Sequence, residues 1–70
     1  MKPTRIKIEP QGGMWLVKVH YGVAFWGMFS CLTEAGAHHI AAVMRVKDVA
    51  TKEEAGAAIR TAAVSYESAQ

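Results

Sequence analysis

The chain has one cysteine, Cys31, so no disulfide can form within it, and no Cys-x-x-Cys pair exists from which a structural zinc site is built. A long apolar run is also missing. The most hydrophobic region is broken by Lys18, His20, Gly22 and Gly27, short of the roughly 20 apolar residues a membrane helix needs. Lys2, Arg5 and Lys7 are followed by Glu9 and a Pro-Gln-Gly-Gly turn, where a secretory leader would have its apolar centre. There is no low-complexity tract and no internal repeat. These absences predict a cytoplasmic protein without membrane contact. Charge of one sign is scarce as well: the formal net charge is +2, too little to drive phosphate binding by itself. It is unevenly spread, with Lys2, Arg5, Lys7 and Lys18 against Glu9 in the first twenty positions, while the last twenty lean acidic.

What remains is a single small domain over residues 1–70. A chain this short buries only about 60% of the surface its unfolded form exposes. Without disulfides or metal, its stability must come from good packing or a partner.

Thr4-Arg5-Ile6-Lys7-Ile8-Glu9 alternates polar and apolar with period two, which predicts an amphipathic strand. Pro10-Gln11-Gly12-Gly13 is expected to end it in a turn, since proline has no N–H and paired glycines accept positive φ. A second strand follows at about 14–20, a tight reversal at Tyr21-Gly22-Val23, and a third strand over 23–32. Thr51-Lys52-Glu53-Glu54 fits a capping box, in which the threonine hydroxyl takes the N3 amide and Glu54 reaches back to the cap. Ala55, Ala58, Ile59, Ala62, Ala63 and Tyr66 then follow at helical spacing, an alanine-rich stripe able to lie close to a sheet. Only Ser68-Ala69-Gln70 is expected to fray. Residues 33–49 fit two patterns. A turn at 33–37 leading to a fourth strand at about 39–47 is preferred, with a helix over 34–46 as the alternative. The fold class is α+β: an antiparallel sheet of three or four strands with a C-terminal helix on one face, ββββα or βββαα.

An even-length loop around Tyr21-Gly22 makes facing residue numbers sum to an odd value, so side chains divide into two sets. One holds Trp15, Val17, Val19, Ala24, Trp26 and Met28; the other holds Met14, Leu16, Lys18, His20, Val23, Phe25, Phe29 and Cys31. Ile6 and Ile8 belong with the first set, which is therefore the core face. Arg5 and Lys7 belong with the second. Arg5, Lys7, Lys18, His20, Phe25 and Phe29 thus form a mixed basic and aromatic face, the candidate partner-binding site. Residues 33–47 folding back over it would make the phenylalanines ordinary core. Left open, it would meet a protein or a second copy of the chain, or stack and neutralise single-stranded nucleic acid.

No motif carries catalysis. Cys31 with His38 or His39 lacks the context of a known thiol enzyme, and a cysteine ending an apolar strand is expected to be a small buried hydrophobe. Adjacent His38 and His39 would diverge on either a strand or a helix, so they are no chelating pair. No metal or cofactor is expected. Ala57 and Val64 fall on the outer side of the last helix.

The layout of a strand, the hairpin MWLVKVHYGVAFWGMF and the capped helix ATKEEAGAAIRTAA resembles, over the whole chain but in general shape only, the small proteins carried by bacteriophages and mobile elements, including anti-CRISPR inhibitors. That resemblance implies a non-catalytic protein acting in the host cytoplasm by occupying a surface of a larger host assembly, such as a CRISPR-Cas defence complex. Many such inhibitors are strongly acidic, and this chain departs from them in being slightly basic. The expected function is a protein-binding inhibitor or adaptor, with a homodimer as one form of it. The alternative is a small nucleic-acid-binding domain.

Overall fold

Three strands and two helices follow in the order β1 (Arg5–Gln11), β2 (Met14–Tyr21), β3 (Ala24–Cys31), α1 (Glu34–Arg45) and α2 (Lys52–Ser68). The structure is a computed structural model and describes residues 1–68; Ala69 and Gln70, expected to fray, lie outside the described residues. The strands form one antiparallel sheet in the order β1-β2-β3, so the fold is α+β of the βββαα kind.

Both hairpin loops hold two residues, as the partners Gln11↔Met14 and Tyr21↔Ala24 require. Gly12 and Gly13 have φ of 58° and 81°, the double positive φ of a type I′ turn. Gly22, at 64°, supplies the single positive φ that a type II′ turn places first. Pro10 does not end β1, contrary to expectation: it pairs with Trp15 inside the strand. An edge strand tolerates this, because the missing N–H can lie on the unpaired side.

The preferred fourth strand at 39–47 is not there; these residues lie mostly in α1. Alternation of small apolar residues was compatible with either structure, and burial shows which period won. Ala37, Ile40, Ala41 and Met44 are buried while Ala42 and Val46 are exposed, the spacing of one helix face. Thr33 caps α1, its Oγ1 accepting from the Gly36 N–H at 3.1 Å. The expected box opens α2: Glu54 N–H donates to Thr51 Oγ1 at 3.2 Å. Glu54 Oε2 accepts from Ala50 N–H at 2.9 Å, one residue before the position a capping box would use.

The core joins Val17, Val19 and Tyr21 of β2 to Ala37, Ile40 and Met44 of α1 and Ala55, Ile59, Ala62 and Ala63 of α2. Both helices therefore lie on the side of the sheet that carries the odd-numbered residues of β2. Complete burial of Ile40, Met44 and Ile59 contributes about 1.5–3 kcal/mol each. α2 runs close beneath β3, where a Cβ added at Gly27 would stand 2.7 Å from Ile59 Cδ1. The interhelix linker is tied to the chain start: Val49 N–H donates to Met1 O at 2.9 Å, and the Met1 ammonium pairs with Asp48. That ammonium holds the Asp48 carboxyl below the usual range.

Candidate partner-binding face

The other side of the sheet carries Arg5 and Lys7 from β1, Lys18 and His20 from β2, and Phe25 and Met28 from β3. Cross-strand register sets them in rows: Arg5↔His20↔Phe25 and Lys7↔Lys18↔Met28. Neither helix belongs to this side. Phe25 is 43% exposed and Met28 57% exposed. The Phe25 ring leans on His20, centroids 5.4 Å apart and tilted by 56°.

Three residues of β3 differ from the sequence expectation, for a single reason. Between Val19↔Gly27 and His20↔Phe25 the register shifts, leaving Trp26 as an extra residue on β3. Below the loop, facing numbers still sum to an odd value; beyond the bulge they sum to an even one. Phe29 consequently faces Val17 and packs against the core, so it leaves the candidate site. Met28, expected inside, faces Lys18 and points out. Cys31 likewise moves to the core side, opposite Trp15. Both tryptophans keep their expected side, packed against the core, and Trp26 stacks on Tyr21 with centroids 4.7 Å apart. The local signal for the shift is Gly27, a glycine inside an otherwise apolar strand pattern, where bulges are common.

Electrostatics give the face its character. Lys18 Nζ lies 3.5 Å from Glu9 Oε2, a partly exposed pair that solvent screens, so it offsets the lysine charge only in part. Leu16, the strand partner of Glu9, is only 5% exposed although it stands outside the core cluster of the helix side. Lys7 stands directly opposite Lys18, and Arg5 directly opposite His20. The two lysines, like charges so placed, weaken the sheet.

The remaining candidates are scattered. His38 sits 3.5 Å from Glu34, one helical turn away, while His39 turns toward Tyr66 with ring centroids 5.3 Å apart. Among the described residues, no three His, Cys, Asp or Glu side chains gather as metal ligands would. Burial, reinforced by Glu67, pushes the Cys31 thiol above its ordinary pKa, the reverse of what a nucleophilic thiolate needs. Val64 and Ala57 are exposed on α2, as expected. No helix of the described residues is long and apolar enough to cross a membrane. No family model, curated protein or solved structure matches the chain.

Proposed function

We propose that the chain is a non-catalytic protein-binding module, an inhibitor or adaptor that lays its uncovered sheet face on an acidic, partly apolar surface of a larger assembly. An anti-CRISPR protein, the kind its layout resembles, would work in this way. The observation that carries the reading is the pairing of Phe25 and Met28 with Arg5, Lys7 and Lys18 on a face neither helix covers. Methionine is an adaptable contact residue, and aromatic, methionine and arginine side chains are the ones enriched where proteins meet. The unfavourable Lys7–Lys18 opposition supports an acidic partner, since carboxylates arriving between the two lysines would relieve it.

Nucleic acid ranks second. A stacking surface uses successive aromatic side chains, and the bulge leaves Phe25 as the single exposed one on this face. The test compares baits in a bacterial lysate treated with nuclease: the parent chain, and a variant with Phe25→Ser and Met28→Ser. A protein retained by the parent and lost by the variant, with the variant's cooperative melt intact, is the expected result. Identical captures by both baits, or a captured species released by nuclease, would overturn the proposal.

A further inference from the structure

A second surface lies at the rim of the sheet. β3 is an edge strand, and its eight residues, AFWGMFSC, include neither a charge nor a proline. Edge strands are ordinarily blunted by lysine, proline, a bulge or a covering element, because their unpaired N–H and C=O groups template another strand. Here the opposite edge, β1, has Pro10 and three charged residues. The bulge at Trp26 distorts only the first half of β3. From Gly27 to Cys31 the pairing with β2 is regular, and the outer backbone edge has no strand beside it.

Beneath that stretch, on the helix side, opens a cleft of about 280 Å³. Its floor is apolar: Phe29 and Cys31 of β3, Ile40 of α1 and Ala63 of α2. Tyr66 walls it, held close by the absence of a side chain at Gly36, where a Cβ would stand 3.3 Å from the tyrosine ring. Glu67 lies at the same cleft and makes no ion pair among the described residues. Its charge is felt by the neighbouring Cys31 thiol. A strand added to β3 would turn alternate side chains toward the helices, so one of them would meet the cleft.

The geometry points to an extended, basic segment of a partner protein as the occupant: it adds to β3 at Gly27–Cys31 as a fourth strand, seats one apolar side chain against Phe29 and Ala63, and brings a lysine or arginine to Glu67. Charge complementarity separates this occupant from a second copy. β3 of another protomer carries no charge with which to answer Glu67. The site lies away from the basic face described above and does not depend on it, since that face would repel the same segment.

The probe is a fluorescein-labelled octapeptide with serine at every second position and valine and arginine taking turns at the others, so that valine and arginine share one face of the strand, titrated onto the full chain by fluorescence anisotropy. Cys31, the only thiol, reports occupancy through its rate of alkylation by N-ethylmaleimide. Expected are saturable binding, slower alkylation, and no binding when the arginines are replaced by glutamates. Glu67→Lys should weaken binding about fivefold, the scale of an exposed ion pair reversed, with an unchanged melt. N-methylating the peptide nitrogens that face β3 should abolish binding, while methylating the alternate set should not. Equal binding by the two methylated forms, equal binding by the acidic peptide, or no anisotropy change at millimolar protein overturns the proposal. So does a sedimenting dimer in which Cys31 is already protected without peptide, because that assigns the edge to a second copy.

Discussion

Gly27→Ala tests the packing on which both surfaces depend. Gly27 is not among the glycines with positive φ, so an alanine meets no backbone obstacle there, and stiffening the unfolded chain would favour it by about 0.4–1 kcal/mol. Its methyl group, however, would stand 2.7 Å from Ile59 Cδ1, where carbon atoms at rest keep about 3.5–4.0 Å. Cδ1 is the far end of a flexible side chain, which would make room cheaply at a surface. Ile59 is 1% exposed and enclosed by the core, so its displacement moves neighbours; overpacking of this kind costs about 1–3 kcal/mol. The net expectation is a loss of about 1–2 kcal/mol, a fall in Tm of roughly 7–14 °C for a domain of this size. A thermal melt followed by circular dichroism measures it. The companion variant Ile59→Val removes Cδ1 itself and alone costs about 1 kcal/mol. Combined, the two should be no worse than Ile59→Val alone, a coupling of about 1 kcal/mol or more, because the alanine methyl occupies the vacated space. Gly27→Ala melting at or above the parent, or strict additivity in the double variant, would refute a close crossing of α2 under β3.

The bulge separates the two phenylalanines: Phe29→Ala should destabilise by about 2 kcal/mol, less than a fully buried phenylalanine would, whereas Phe25→Ala should change urea stability by no more than about 0.5 kcal/mol. Lys7→Glu, placed opposite Lys18, should raise stability by about 0.2–1 kcal/mol while abolishing partner capture; lower stability in a urea titration would remove the repulsion argument. Tyr21 is 2% exposed and its hydroxyl has no partner among the described residues, so Tyr21→Phe should stabilise by about 1 kcal/mol in the same titration. Burial, with Asp48 nearby, raises the Tyr21 pKa, so the folded form keeps its proton when the unfolded chain has lost it. Stability from this group is whole below the unfolded value of about 10 and is lost as pH rises through the folded one, a decline that Tyr21→Phe should lessen.

Much of the architecture could be read from local chemistry. Gly12-Gly13 and Gly22 can be placed in turns because positive φ is nearly a glycine property, and Thr51 with Glu54 can be placed at a helix start because capping needs those side chains at that spacing. Residues 39–47 resisted for a physical reason. In Ile40-Ala41-Ala42-Val43-Met44 every position is apolar, so periods of 2 and 3.6 both find matches, and only the third dimension decides which residues are covered. Pro10 misled in the opposite sense, since its cost depends on whether its strand is at an edge, which no local stretch reveals.

The candidate face shows where such reading stops. Its basic half follows from alternation alone: Arg5, Lys7, Lys18 and His20 lie on one side because nothing interrupts β1 or β2. Its apolar half depends on a parity that one inserted residue reverses. The stacked Tyr21–Trp26 rings lie on the core side just where the extra residue sits, and from that point Met28 and Phe29 exchange faces. The same insertion has a second consequence. By turning Phe29 and Cys31 inward it lines the cleft beneath the strand edge with apolar groups, and by turning Met28 outward it leaves the open side of β3 with one phenyl ring and one flexible thioether in place of two rings. A pair of rings is a stacking platform, whereas a ring and a methionine among lysines form an adaptable contact for a protein surface. The preference for a protein partner over nucleic acid therefore depends on Trp26 standing outside the ladder as the extra residue; deleting it would remove the bulge yet keep Gly27 opposite Val19 and Phe29 opposite Val17, so Phe29 should stay on the core side and the open face should keep its single phenyl ring.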